Sequence, residues 1–147
     1  MKKKIKFTRQ FDQMDCGPSC IRMVASAYGK DYPLGYLRTL SHLTREGVSI
    51  AGMRDAMGHI GINSASFHLT IWQLREKCPL PAILHWEQCH FVVIYGVEKS
   101  RFSGKWKYYI ANPAFGRQII GDYELRTKWR NGDTGVVEAC EPTDEFY

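Results

Sequence analysis

The chain has 147 residues, 44% of them hydrophobic and 24% charged, and its 20 basic and 15 acidic side chains leave a formal net charge of +5. That length suffices for one domain with one core and is short for two. The longest apolar run, FVVIYGV at residues 91–97, is far below the ~20 residues of a membrane helix, so the sequence predicts no membrane span.

The first half of the chain carries helical patterns. Pro18 suits the first turn of a helix and Gly29 ends the apolar run behind it, while Ser49 is a suitable N-cap for a later run. A turn is expected at residues 45–47. The predicted helices span residues 18–28, 33 or 34 to 40, and 50–60.

The second half changes to strand patterns. Ser103 and Gly104 are expected to form the turn of a hairpin, and Thr70 and Asp122 are expected to cap two further helices. The predicted strands span residues 62–69, 81–86, 90–99, 105–111, 118–120 and 135–140, and the helices 70–77 and 122–128. Helices followed by antiparallel strands predict an α+β fold, with the sheet packed against the early helices.

Charge and cysteine usage limit the classes of partner and compartment. The only basic run, Lys2 to Lys6, is expected to be a solvated terminus, and the other basic residues form no stripe typical of nucleic-acid binding. The five cysteines are an odd number without the spacing of a disulfide scaffold, and no apolar segment of a secretory signal follows the basic start. We therefore expect a cytoplasmic protein with at least one free thiol.

Cys16 is the first candidate for chemistry, because it stands directly before Gly17 and Pro18 at a predicted helix start. Unpaired N–H groups and the helix dipole at such a position favour a thiolate, so we expect a lowered thiol pKa. The alternative to a reactive thiol is a small, buried structural side chain. That role fits Cys20 better, because Cys20 lies one turn inside the predicted helix.

Two further elements can complete a nucleophilic site. His85 and His90 flank a turn that leads into a strong strand, and a histidine there can hold the proton of a thiol and deliver it to a leaving amine. Asn112 follows a strand expected to pair with the one that begins at His90, so its amide oxygen can orient an imidazole. Alternatively, these are ordinary histidines and a turn-forming asparagine before proline.

Together the segments QFDQMDCGPSC, HFVVIYGV and ANPAFGR resemble, in order and setting, the peptidase C39 family of bacteriocin-processing domains. These domains lie at the N-termini of peptidase-containing ABC exporters. The resemblance spans nearly the whole chain and implies a papain-like cysteine peptidase. Such an enzyme removes the leader from a ribosomally made precursor peptide after a double-glycine motif.

The resemblance also implies roles for individual residues. Cys16 matches the nucleophile, His90 matches the histidine that opens the HFVV strand, and Gln10 matches the glutamine that holds the oxyanion six positions before the cysteine. Gln13 is a competing candidate for the oxyanion role because it carries the same side-chain amide, but it does not lie six positions before the cysteine. The chain departs from the family at Asn112, where an aspartate is usual; asparagine orients the imidazole without stabilising imidazolium by charge.

The family context implies partners beyond this chain. Residues 1–147 are expected to form a single peptidase domain, ending near EPTDEF, with the membrane and ATPase domains of an exporter after it. No cofactor is expected for the peptidase, and ATP only for the later domains. Two alternatives remain: an inactive relative that holds the leader for the transporter, and a thiol sensor or metal site built from Cys16, Cys20, Cys89 and His90, whose spacing does not match structural zinc.

Overall fold

The computed structural model describes residues 2–42 and 47–147, apart from the side chains of Gln13, Gln88 and Asn131. The predicted turn at 45–47 therefore lies partly outside the described residues. Within them, the helices are α1 (Cys16–Ala27), α2 (Leu34–Leu40), α3 (Ile50–His59), α4 (Ile71–Glu76) and α5 (Asp122–Trp129). The strands are β1 (Ile62–Leu69), β2 (Ala82–Trp86), β3 (His90–Lys99), β4 (Trp106–Asn112), β5 (Gly116–Ile120), β6 (Arg130–Asn131) and β7 (Thr134–Pro142).

An antiparallel sheet forms the centre of the molecule. Its strands lie in the order β1-β7-β2-β3-β4-β5, and the short β6 pairs with β7. Strands β3 and β4 form the predicted hairpin, in a register that places Val93 opposite Ala111. Because β3 is central and apolar on both faces, its first residue is held firmly at one end of the sheet.

Helices cover both faces of this sheet. Helix α1 packs on β3 and α3 packs on β1, and together with α2 they enclose one core cluster that includes Ile21, Met53 and Phe91. A second cluster on the opposite face includes Leu74, Tyr108 and Leu125, from α4, β4 and α5. The predicted α+β fold with early helices against an antiparallel sheet is confirmed, and two late helices add a second covered face.

Side-chain caps fix several helix starts as predicted, with one error. The Ser49 side chain accepts a hydrogen bond from the Gly52 N–H, and Thr70 forms a capping box with Gln73. The predicted cap at Asp122 is wrong: Gly121 is the N-cap of α5, and Asp122 accepts hydrogen bonds from Arg75 and Tyr108 instead. The carboxylate finds donors in other elements, which the local sequence does not reveal.

No helix within residues 2–42 and 47–147 is both long enough and apolar enough to cross a membrane.

Candidate active site

Cys16 is the first residue of α1, two positions before the predicted start of that helix, and only 7% of it is exposed. The backbone N–H of Phe91, the second residue of β3, is directed at its thiol. The next residue is glycine for a steric reason, because a Cβ at Gly17 would lie 3.3 Å from both Met53 Sδ and Val48 Cβ. Close packing on α3 and β3 thus fixes the position of the thiol.

Burial raises the pKa of the Cys16 thiol above its ordinary value, although the N–H groups of Phe91, Gly17 and Cys16 act in the opposite direction. The neighbouring carboxylate of Asp15 raises it further. The prediction of a lowered pKa from the helix start is therefore wrong, because burial outweighs the N–H groups. A thiolate at this position requires a cation beside it.

His90 and Asn112 form the second part of the site. Nε2 of His90 lies 2.8 Å from Oδ1 of Asn112, and the same oxygen accepts a hydrogen bond of 2.9 Å from the Ala114 N–H. Because both contacts use the amide oxygen, His90 carries its proton on Nε2 and keeps Nδ1 as the basic nitrogen. Asn112 is 2% exposed, so water does not compete effectively for this contact.

Gln10 is joined to the same loop through its backbone. Its N–H donates a 3.0 Å hydrogen bond to the carbonyl oxygen of Pro113, directly after Asn112. Its side-chain Oε1 is buried and has no hydrogen-bond partner among the described residues. Gln13, the competing candidate, lies in the 3-10 turn Gln13–Asp15, and its side chain is outside the described part of the chain.

An ion pair that sequence reasoning missed directly precedes the nucleophile. The Asp15 carboxylate is fully buried and accepts hydrogen bonds from Arg38, with Nε at 2.7 Å from Oδ1 and Nη2 at 2.5 Å from Oδ2. Burial raises its pKa, but the contacts with Arg38 prevail and leave that pKa below its usual value. Oδ2 also accepts the Phe11 N–H at 3.2 Å. Arg38 is 23 residues from Asp15, so no local motif signals it.

The other candidates fall outside this constellation. The His85 ring contacts Phe91 edge-on at 5.0 Å, and its Nε2 lies 3.7 Å from Oε1 of the buried Glu138, beyond hydrogen-bonding range. Cys20 is fully buried inside α1, whereas Cys89 is exposed. Among residues 2–42 and 47–147, no group of three or more His, Cys, Asp or Glu side chains lies close enough to hold a metal ion.

The contacts place the four residues predicted for catalysis on three adjoining segments of the chain. The Cys16 thiol meets the backbone of β3 beside His90, the His90 ring meets Asn112, and Gln10 is bonded to Pro113. A thiol, an imidazole that is oriented by an amide and a further side-chain amide are the groups that nucleophilic attack on a carbonyl uses.

Removing the Asn112 amide tests its link to His90. We expect Asn112→Ala to lower the kcat/KM of peptide cleavage by roughly 10- to 100-fold, because a hydrogen bond to a group that becomes charged is lost. Asn112→Asp keeps the acceptor and adds a charge that favours imidazolium, so the alkaline limb of the pH profile should move to higher pH. An unchanged kcat/KM in Asn112→Ala would contradict this role.

The profile of the peptidase C39 family matches residues 4–144. The colicin V secretion/processing ATP-binding protein CvaB of Escherichia coli is 29% identical over 98% of this chain. The lactococcin-G-processing and transport ATP-binding protein LagD of Lactococcus lactis subsp. lactis is 30% identical over 96% of it. In both cases the alignment covers 19% of the relative, so the chain spans about a fifth of the length of these proteins.

Solved structures show the same fold. A double glycine motif protease from an AMS/PCAT transporter, solved with the leader peptide, superposes with a TM-score of 0.84 at 26% identity, covering 97% of this chain and 94% of that one. The peptidase domain of Streptococcus ComA superposes with a TM-score of 0.79 at 23% identity, over 95% of this chain and 98% of that one. The second likeness concerns the fold alone.

Proposed function

The chain belongs to the peptidase C39 family and is a cysteine peptidase, and we propose that it removes the leader from a ribosomally made precursor peptide after a double-glycine motif. The observation that carries this proposal is that the Cys16 thiol meets the N–H of Phe91, the residue next to His90, while the His90 ring contacts Asn112. A related structure of 26% identity, described as a double glycine motif protease in complex with the leader peptide, supports the choice of substrate.

The proposed reaction begins with transfer of the Cys16 proton to Nδ1 of His90. The thiolate attacks the carbonyl carbon of the second glycine, and the resulting oxyanion accepts hydrogen bonds from the Gln10 amide and a backbone N–H near Cys16. His90 then gives its proton to the leaving amine and the C–N bond breaks. Water, deprotonated by His90, hydrolyses the thioester and releases the leader with a free carboxylate.

Burial of the nucleophile gives a physical reason for the glycine requirement. With 7% of Cys16 exposed, a substrate must bring its backbone close to a recessed sulfur. Two residues without side chains before the scissile bond allow that approach at the lowest steric cost.

The proposal extends to the larger protein in which the domain works. We propose that residues 1–147 act as the peptidase domain of an ABC exporter whose membrane and ATPase domains are its partners, and that it faces the cytoplasm. CvaB and LagD are named as secretion, transport and processing ATP-binding proteins, which supports this assignment. The peptidase step as written needs no cofactor, because thiol, imidazole and amide supply the nucleophile, the proton and the oxyanion donor; ATP belongs to the exporter domains.

The test uses synthetic precursor peptides in which a leader ending in Gly-Gly is joined to a short mature sequence. We expect a single cut after the second glycine, located by mass spectrometry. Replacing either glycine by valine should lower kcat/KM by about 10²-fold or more, because a side chain displaces the carbonyl from the thiolate. Cleavage at other peptide bonds would contradict the proposal. Leader binding without any cleavage would favour an inactive, substrate-holding domain.

A further inference from the structure

Phe11 is an exposed aromatic residue bonded to Asp15, the residue directly before the nucleophile. It is 81% exposed, although it directly follows Gln10 and lies close to the start of α1. Its backbone N–H donates to Asp15 at 3.2 Å, and its ring centroid lies 5.4 Å from the guanidinium carbon of Arg38. The ion pair that precedes Cys16 therefore holds the Phe11 backbone through a hydrogen bond and contacts its ring through a cation–π interaction.

Phe115 is a second exposed aromatic residue, on the loop that follows Asn112, and it is 74% exposed. Its N–H donates to the Asn112 carbonyl oxygen at 3.1 Å, and the preceding Ala114 carbonyl oxygen accepts the Arg9 guanidinium at 3.1 Å. The hydrogen bond from the Gln10 N–H to the Pro113 carbonyl brings this loop beside the segment that carries Phe11.

The chemistry of acylation decides which part of a substrate passes here. His90 must reach the nitrogen of the leaving amine, so the chain after the cut lies on the His90 side of the site. Asn112 contacts the far nitrogen of the same imidazole, and the loop from Pro113 to Phe115 extends from it. The hydrogen bond from Gln10 to Pro113 joins that loop to the segment that carries Phe11, so both phenylalanines belong to segments next to the His90–Asn112 pair.

We infer that Phe11 and Phe115 form an aromatic clamp that binds apolar or aromatic side chains in the first two residues after the cut. This inference rests on the proposed function and extends it from the leader to the released peptide. Exposed apolar rings gain free energy when a substrate side chain covers them. Because Asp15 bonds the Phe11 backbone and Arg38 contacts its ring, Phe11 loses less conformational freedom on binding than an unrestrained side chain would.

The test compares double-glycine precursor peptides that carry Leu-Phe, Ala-Ala or Asp-Ser directly after the glycines. For the wild-type protein we expect kcat/KM to be roughly tenfold or more higher for Leu-Phe than for Asp-Ser. In Phe11→Ala and Phe115→Ala, that preference should fall severalfold, while cleavage of the Ala-Ala peptide changes less. Phe11→Leu should retain part of the preference, which separates an apolar contact from a general loss of structure.

Phe102→Ala provides a matched control, since Phe102 is also an exposed phenylalanine but lies in the turn between β3 and β4. This variant should keep the wild-type preference. Equal kcat/KM for all three peptides in the wild-type protein, or an undiminished preference in Phe11→Ala and Phe115→Ala, would overturn the clamp while leaving the proposed function intact. Failure of the wild-type protein to cut any of the peptides would instead overturn the proposed function, and the clamp with it.

Discussion

Replacement of Cys16 by alanine is expected to lower double-glycine cleavage by roughly 10⁴-fold or more, the scale on which hydrolytic enzymes lose activity without their nucleophile. Cys20 and Cys140 cannot substitute, because both are buried in the core and burial raises the pKa of Cys140 to about 12. The measurement is kcat/KM on a synthetic precursor, with circular dichroism to establish that the variant is folded. Residual cleavage within tenfold of wild type would contradict the assignment.

The pH dependence of thiol alkylation tests the same pair without a substrate. Burial raises the pKa of the Cys16 thiol, so rapid reaction with iodoacetamide at about pH 6 requires imidazolium beside it. We expect Cys16 to react faster than Cys20 and Cys140 at this pH, and His90→Ala to remove the advantage. A Cys89→Ser background removes the exposed thiol that would otherwise obscure the signal. Identical Cys16 profiles with and without His90 would exclude a functional pair.

The second large effect is expected on stability. Arg38→Ala leaves the Asp15 carboxylate fully buried without its cation, and loss of one partner from a buried pair costs about 3 kcal/mol or more of unfolding free energy. Urea unfolding of the wild-type and variant proteins measures the difference. Asp15→Asn combined with Arg38→Ala should recover part of the loss, because no buried charge then remains.

The pH dependence of that loss has a definite sign. In the wild-type protein the pKa of Asp15 is lowered, so its contribution to stability is present above its unfolded pKa of ~3.9 and disappears as the pH falls through the folded pKa. Without Arg38, burial should instead raise the pKa of Asp15. The difference in unfolding free energy between the wild-type and Arg38→Ala proteins should therefore widen as the pH rises above about 4.

A surface ion pair supplies the control for Arg38. Arg22, in α1, contacts Asp31 at 2.9 Å, but 43% of the Asp31 side chain is exposed. Arg22→Ala should lower the unfolding free energy by only a small part of the Arg38 effect, because solvent already screens this pair. Equal losses in the two variants would show that the burial of Asp15 is not the cause.

Much of the fold was predictable from local patterns. The range 34–40, the caps at Ser49 and Thr70, and the strands at 62–69 and 90–99 agree with the structure because each depends on neighbouring residues. The family was also evident from three short segments, and the match over residues 4–144 confirms it. Errors arose where a side chain found its partner in another element, as with Asp122 and Arg75.

For the candidate site too, some features follow from the sequence and others only from the tertiary structure. The sequence, through its family resemblance, predicted Cys16, His90, Asn112 and Gln10 as the site, because their residue types and order are properties of the chain. Only the tertiary structure decided the direction of the Cys16 pKa and the atoms that join His90 to Asn112. It also revealed Arg38 as the partner of Asp15. Burial, charge pairing and hydrogen-bond geometry depend on distances between elements far apart in the chain, and folding alone sets those distances.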